Sequence, residues 1–390
     1  MSSHNVKAVP RGQTPQWRAV IDIGTNSVKL LIADVAGGRA EPLFEGSIQT
    51  RLGRGLYPGR QLTPQAIADT ARVVAVFAEE ARLLGAPIRV IATSAAREAG
   101  NPGDLLAAMR RAAGLKVEII SGAQEAAWAF QGVVTDPRFA GRPLLILDVG
   151  GGSTEFILGQ GAVPTFCQSF PLGIVRLCEQ LQPSETPGPG ELAGCLAVVQ
   201  DFLGREVAPV LTPALAAYAS PAPQLVGTGG TASVLGAMEL RLTEFNPARL
   251  ETAQLTRAKV RARLERLWGL PLAQRRKVPG LPPERADVIL TGTAIYCAVM
   301  ERFGFDRLQI SARGMRFAAL LDDTYPGWRA PSPPIGGEPL LPNPSPPLGE
   351  RRRVRGTSRS AEWRVRGAGC GMPTGCRLSG SGRSRRASRA

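Results

Sequence analysis

The stretch "LLILDVGGGSTEFILG", Leu144–Gly159, places an acid, three glycines, two hydroxyls and a second acid between two apolar runs. The runs read as strands and the glycines as a tight turn between them. Glycine lacks a Cβ and adopts backbone angles closed to other residues, so consecutive amides can point into one concavity that binds phosphate oxygens. Gly150, Gly151 and Gly152 fit that description, and the hydroxyls of Ser153 and Thr154 add donors. Asp148, like Asp22 in the upstream copy, repels phosphate unless a cation such as Mg2+ lies between, directly or through water.

The same grammar occurs 126 residues upstream, where Asp22-Ile23-Gly24-Thr25-Asn26-Ser27-Val28-Lys29 aligns with Asp148 through Glu155. In each copy a strand ends in Asp, Gly follows two positions later and Ser five positions later, and an apolar strand comes next. Two such hairpins predict a duplicated α/β domain whose turns face each other across a cleft and clamp one run of phosphates. A third glycine segment, "LVGTGGTASVLG", carries Gly227-x-Gly229-x-x-Ala232. That loosely matches a dinucleotide fingerprint, but the fingerprint belongs in the first βα unit and here it falls late in the chain. Gly229 and Gly230 read instead as a further cradle at a helix N-terminus for the same anion. No GxxxxGK[ST] loop is present, which excludes a P-loop nucleotidase.

Outward from the hairpins the chain alternates strand and helix. Thr63 caps a helix with Pro64 at its first position, ended by Gly85. "IRVIATSA" is a buried strand, "DLLAAMRRAAGL" a helix closed by Gly114, and "KVEII" a strand. Ser121 opens the next helix, and Gln124 is placed to complete a capping box. Later helices are predicted over 191–207, 255–268 and 286–303.

The whole chain of 390 residues carries a formal charge of +15, but residues 326–390 hold 13 Arg, no Lys and 3 Glu. The remaining 325 residues have 34 basic and 29 acidic side chains, so the body is only mildly basic. The Pro- and Arg-rich tail has the composition of a disordered segment. It has the charge to contact nucleic acid, and reads equally as a dispensable or out-of-frame extension. The six cysteines form no CxxC pair and are expected as reduced thiols. The only histidine is His4, which removes Ser-His-Asp triads, Cys-His pairs and His-rich zinc sites from consideration. No apolar run reaches the length of a membrane span and the N-terminus lacks a signal-peptide core, so a cytoplasmic protein with no membrane association is expected.

"VIDIGTNSVKLLIADV", "RLGRGL", "VIATSAAREAGN", "EIISGAQEAAWAFQGV", "LILDVGGGSTEFILG", "SFPLGIVRL", "LVGTGGTASVLGAM" and "RADVILTGTAIYCAVMERFG" occur in this order. Over about residues 17–321 they resemble the exopolyphosphatase / guanosine pentaphosphate phosphohydrolase (Ppx/GppA) family, in a short form without the C-terminal HD-type domain. The resemblance implies the actin-like, sugar-kinase-like (ribonuclease H-like) α/β fold. It suggests an N-terminal arm (1–16), a first domain (17–140) completed by a C-terminal helix (311–325), a second domain (141–310) and the tail (326–390).

It also implies roles. Glu125 matches the family's water-activating acid, in keeping with a chain that has no usable histidine base. Asp148, Glu155 and Asp22 are the expected Mg2+ ligands. Gly24, Thr25, Asn26, Ser27, Lys29, Arg97, Gly150, Gly151, Gly152, Ser153, Thr154, Gly229 and Gly230 are the expected phosphate-binding set. Lys29 stands where the family commonly has Arg, which keeps the charge but loses bidentate geometry. Arg97 is open between substrate contact and a capping or interdomain ion pair. "ISARGMRFAAL" departs from the family's usual "LREG" at Phe317 and Ala318. The implied reaction is Mg2+-dependent hydrolysis of a terminal phosphoanhydride, in inorganic polyphosphate or guanosine pentaphosphate. A small-molecule kinase of the same fold and a non-catalytic polyphosphate- or alarmone-binding protein are the alternatives. A homodimer is compatible with all three.

Overall fold

The computed structural model describes residues 16–328, except residue 219. His4, Cys370, Cys376, nearly all of the expected N-terminal arm and the tail beyond residue 328 lie outside the described residues.

Two sheets carry the duplication. In the first, β1 (Trp17–Ile23), β2 (Ser27–Ala36) and β3 (Arg39–Gln49) form an antiparallel meander, and β4 (Ile88–Ala92) and β5 (Val117–Ile119) extend it in parallel, in the order β3-β2-β1-β4-β5. In the second, β6 (Pro143–Val149), β7 (Thr154–Gln160) and β8 (Val163–Phe170) repeat the meander. There β9 (Gln224–Thr228) and β11 (Arg307–Ile310) take the parallel places, with β10 (Gln254–Thr256) added at the edge, in the order β10-β11-β9-β6-β7-β8. Apart from that edge strand the two orders superpose. This is the duplicated ribonuclease H-like, actin-like arrangement.

The central strands β1, β2, β6 and β7 are mostly buried on both faces, which is why they read as nearly continuous apolar runs. β3 and β8 are largely exposed or half-exposed. On β2, Leu30 and Ile32 face the helical layer built on α1 (Pro64–Leu83), while Leu31 and Ala33 face the opposite layer. Thr63 caps α1 by accepting from the Ala66 amide at 3.2 Å. α2 (Pro102–Ala113) packs beside α1 and ends at Gly114, whose φ is 68°. The helix predicted over 191–207 is longer than expected. α4 (Pro189–Phe202) continues through a widened, π-helical turn at Leu203–Val207 into a further helical segment at Ala208–Ala216. α5 (Gly229–Leu240), α6 (Arg257–Trp268) and α7 (Ile289–Arg302) complete this layer. α7 is enclosed all round, with every residue from Ile289 to Met300 buried.

Two helices change partners. α3 (Gly122–Val134) follows β5 in the chain, yet its Ala126, Ala129, Phe130 and Val133 cluster with Leu144, Ile146, Ile157 and Val226 of the second sheet. α8 (Met315–Leu321) follows β11 and packs on β1, β2 and β3 of the first sheet. The two helices also pack on each other. α3, inside the expected first domain 17–140, is thus shared between the sheets, for its Trp128 clusters with Val20, Leu31 and Ile91 of the first. Residues 326–328, the expected start of the tail, are held to the body. The Trp328 indole N–H donates to the Asp322 carbonyl at 2.9 Å, and the Arg18 guanidinium lies over its ring at 5.2 Å. No described helix is long and apolar enough to cross a membrane. Cys167, Cys178, Cys195 and Cys297 are free thiols.

Candidate active site

Both hairpins close in the same way. The Gly24 amide donates to the Ser27 carbonyl at 3.1 Å, and the Gly150 amide donates to the Ser153 carbonyl at 2.9 Å. Register then sets matching rows of side chains, Asp22–Lys29–Ser47 across the first meander and Asp148–Glu155–Ser169 across the second. All of these except Ser169 line one cavity, about 660 Å3, to which Gly24, Thr25, Asn26, Ser27, Gly150, Gly151, Gly152, Ser153, Gly229 and Gly230 also contribute.

The glycine triplet has a reason that the sequence did not supply. Gly150, Gly151 and Gly152 all have negative φ, so unusual backbone angles are not what selects them. A Cβ on Gly151 would lie 2.7 Å from Thr25 Cβ, and one on Gly152 would lie 2.3 Å from both Ser94 Oγ and Tyr57 Oη. The second hairpin sits against the first, and only a chain without side chains fits there. Gly229 is the cradle glycine that does need a left-handed backbone, with φ +77°, and its Cβ would fall 2.0 Å from Asp148 Oδ1. The α5 N-terminus is thereby held against Asp148, and Thr231 Oγ1 ties it to the Val149 carbonyl at 2.7 Å.

Glu125 comes from the first turn of α3. Ser121 Oγ accepts from the Gln124 amide at 3.1 Å, while the Gln124 side chain makes no return bond to close the expected capping box. Glu125 is largely buried and lines the cavity beside Glu155. Arg97 Nη1 donates to Glu125 Oε2 at 3.1 Å and to the Ile120 carbonyl at 3.0 Å. Arg97 does not itself line the cavity, so of its two candidate roles it takes the ion pair. Thr154 also departs from expectation: it is fully buried, and its hydroxyl donates to the Leu172 carbonyl, fixing the start of β7 to the loop after β8. It offers no donor to the cavity.

The acids press on one another. Burial, then the Glu155 charge, holds Glu125 well above the usual carboxylate range, with Arg97 opposing. Burial, then the Asp148 charge, pushes Glu155 up to about 7, although Ser153 Oγ and Ser169 Oγ donate to its Oε1 at 2.8 and 2.7 Å. Burial raises Asp148 and Asp22, and the cationic Lys29 and Arg316 partly offset this at both. Lys29 Nζ stands 3.9 Å from Asp22 Oδ2, while buried Asp22 Oδ1 has no hydrogen-bond partner. Among the described residues no three Asp, Glu, His or Cys side chains converge into a closed metal cage. Mg2+ does not require one, since it commonly takes one or two carboxylates together with waters and substrate phosphates. An orphaned carboxylate oxygen among mutually repelling acids fits such an ion.

The sequence pattern of the Ppx/GppA phosphatase family matches residues 31–324. The chain belongs to the Ppx/GppA phosphatase family. Exopolyphosphatase 2 of Mycobacterium tuberculosis is 34% identical to it over 309 residues, covering 75% of this chain and 94% of that protein. The crystal structure of the Aquifex aeolicus Ppx/GppA family member is 28% identical, with a TM-score of 0.63 over 79% of this chain and 97% of that one. An exopolyphosphatase from Cytophaga hutchinsonii shares the fold at 23% identity, with a TM-score of 0.69 over 78% of this chain and 98% of its own.

In this Ppx/GppA chain the cavity also holds cations that motif reading passed over. Arg285, on the segment before α7, lines it without an ion pair among the described residues, and its Nη2 reaches Ser27 Oγ at 3.5 Å. Arg316, on α8, donates to the Leu30 carbonyl at 2.9 Å and to Glu45 Oε2 at 3.1 Å. Both arginines lie in quoted motifs, but only the tertiary fold turns them to the cleft.

Proposed function

We propose that this chain hydrolyses the terminal phosphoanhydride of inorganic polyphosphate, releasing orthophosphate. The observation that carries this reading is the position of Glu125: a buried carboxylate, oriented by Arg97, at the cavity that both hairpins share. Its raised proton affinity suits a general base working near neutral pH. The terminal phosphate takes hydrogen bonds from the hairpin amides, the hydroxyls of Thr25 and Ser27, and the amides of Gly229 and Gly230. Lys29 and Arg285, which both line the cavity, balance its charge. A water on the Glu125 side gives its proton to the carboxylate as its oxygen bonds to phosphorus. The bridging P–O bond on the far side breaks, and the shortened chain leaves with that oxygen. Backbone donors aimed at the transferring oxygens stabilise charge without reorganising. Asp22, Asp148 and Glu155 are the residues that would hold Mg2+, which when bound neutralises phosphate charge and relieves the repulsion among these acids.

A second reading is favoured by one observation. The same cavity extends along Val234, Leu242, Phe245 and Leu281, an apolar wall that a bare phosphate chain does not use. A nucleoside would, so guanosine pentaphosphate is the alternative substrate. The deciding experiment is orthophosphate release from long-chain polyphosphate and from guanosine pentaphosphate, with Mg2+ and with a chelator. Mg2+-dependent release from polyphosphate is expected. Transfer of phosphate from ATP to a small alcohol, or substrate binding with no hydrolysis, would refute the reading in favour of a kinase or a binding protein. Glu125→Gln should lower turnover by about 10²–10⁴-fold while leaving substrate affinity within a few-fold.

A further inference from the structure

A second cavity, about 520 Å3, has a lining that includes Asn26, Arg51, Arg54, Cys178, Glu179 and Asp287. Asn26 lines this cavity and the large one alike. Elsewhere residues one or two apart in the chain divide between the two cavities. Ile174 faces the front and Val175 the back, and Arg285 faces the front and Asp287 the back. The partition side chain is itself unsettled, for Asn26 is only 7% exposed and its Nδ2 has no hydrogen-bond partner.

The back cavity is bounded by the loop that opens with Arg51, in the left-handed region at φ 53°, and closes with Arg60 at φ 52°. Contacts to the second half of the molecule fasten it. Arg51 Nη1 and Nη2 reach the Asp287 carboxylate at 2.5 and 3.3 Å, and Nη2 also donates to the Glu284 carbonyl at 2.8 Å. The Gly55 and Tyr57 amides donate to the two oxygens of Glu179. Both carboxylates of the cavity are thus engaged. Arg54, exposed at its mouth, has no ion pair among the described residues.

We propose that the back cavity is the exit for orthophosphate, with Arg54 receiving the anion and the Arg51–Asp287 pair acting as the latch. The inference rests on the hydrolytic reading above. In that reaction the shortened polyanion still occupies the front of the cleft when orthophosphate is formed against the hairpin turns. The front route is then blocked by like charge, and Asn26 is the side chain that borders both cavities. An amide can hand an anion across by turning its N–H groups, and an unpaired guanidinium beyond it supplies a bidentate landing site for phosphate oxygens.

The test uses the full chain and inorganic phosphate. Calorimetric titration of the wild type should resolve two orthophosphate sites, and Arg54→Ala should remove one of them. In turnover with polyphosphate, Arg54→Ala should weaken inhibition by added orthophosphate about tenfold, as expected for loss of one charge-assisted contact. KM for polyphosphate should stay within about twofold, and Arg54→Lys should restore part of the inhibition. Asp287→Asn should shorten the residence of orthophosphate after a single turnover. Orthophosphate binding unchanged in Arg54→Ala, or a parallel rise in KM, overturns the proposal, and an unchanged residence in Asp287→Asn overturns the latch. The calorimetry needs no turnover, so a chain that fails to hydrolyse polyphosphate yet binds phosphate through Arg54 refutes the reaction and supports the site.

Discussion

Glu155 offers a prediction that can be worked from its surroundings alone. Its carboxyl is 1% exposed, faces Asp148 across the β6–β7 register, and is carried from its ordinary 4.5 to about 7. A carboxyl whose folded-state value lies above its unfolded one binds the proton more tightly when folded. Its contribution to stability is therefore complete below pH 4.5 and is lost as pH rises through about 7. At 1.36 kcal/mol per tenfold change in proton affinity, the loss is about 3 kcal/mol for this one group. Glu125, Asp148 and Asp22 are raised in the same direction, so their losses add to the slope. Glu155→Gln keeps the shape and an oxygen to accept from Ser153 and Ser169, but it removes the charge. The assay is urea unfolding of both proteins in chelator between pH 4 and 8. The wild type should weaken steadily with pH. The variant should lose less, ending more stable than the wild type at pH 8 by up to about 3 kcal/mol. Added Mg2+ should flatten the wild-type curve, because a bound cation stabilises the ionised acids. A wild-type stability that is level or rising across this range without metal would refute the electrostatic picture of the site.

Other outcomes follow from single contacts. Gly229→Ala places a Cβ in a left-handed backbone and 2.0 Å from Asp148 Oδ1, so activity should fall sharply, along with at least about 1–2 kcal/mol of stability seen in thermal melts. Thr154→Val removes only the bond to the Leu172 carbonyl, which should cost about 1 kcal/mol and leave KM for polyphosphate unchanged. A large KM effect would return Thr154 to the substrate-binding set. The rate should rise with pH as the raised Glu125 carboxyl loses its proton, and that rising limb should vanish from the residual activity of Glu125→Gln.

Much of the fold and part of the site follow from local pattern. The spacing of Asp, Gly and Ser in two hairpins is a short-range property, so the strand meanders, the duplication and the Asp22 and Asp148 rows were legible from residue order. Capping signals placed α1 and α3 for the same reason. Tertiary packing decided the rest, because burial depends on residues distant in the chain. An apolar stripe does not name its partner, so local pattern could not show that α3 packs on the second sheet, and the return of α8 to the first was expected only through the family resemblance. Nor could local pattern show that Gly151 and Gly152 make room for Thr25, Ser94 and Tyr57, that Thr154 turns away to Leu172, or that Arg97 serves Glu125. Arg285 and Arg316 reach the cleft only once α7 and α8 fold back on the hairpins. The composition fixed which chemistry was available, a carboxylate base and backbone cradles. The fold fixed which carboxylate, because close packing of the two halves is what strips water from Glu125 and sets it against Glu155.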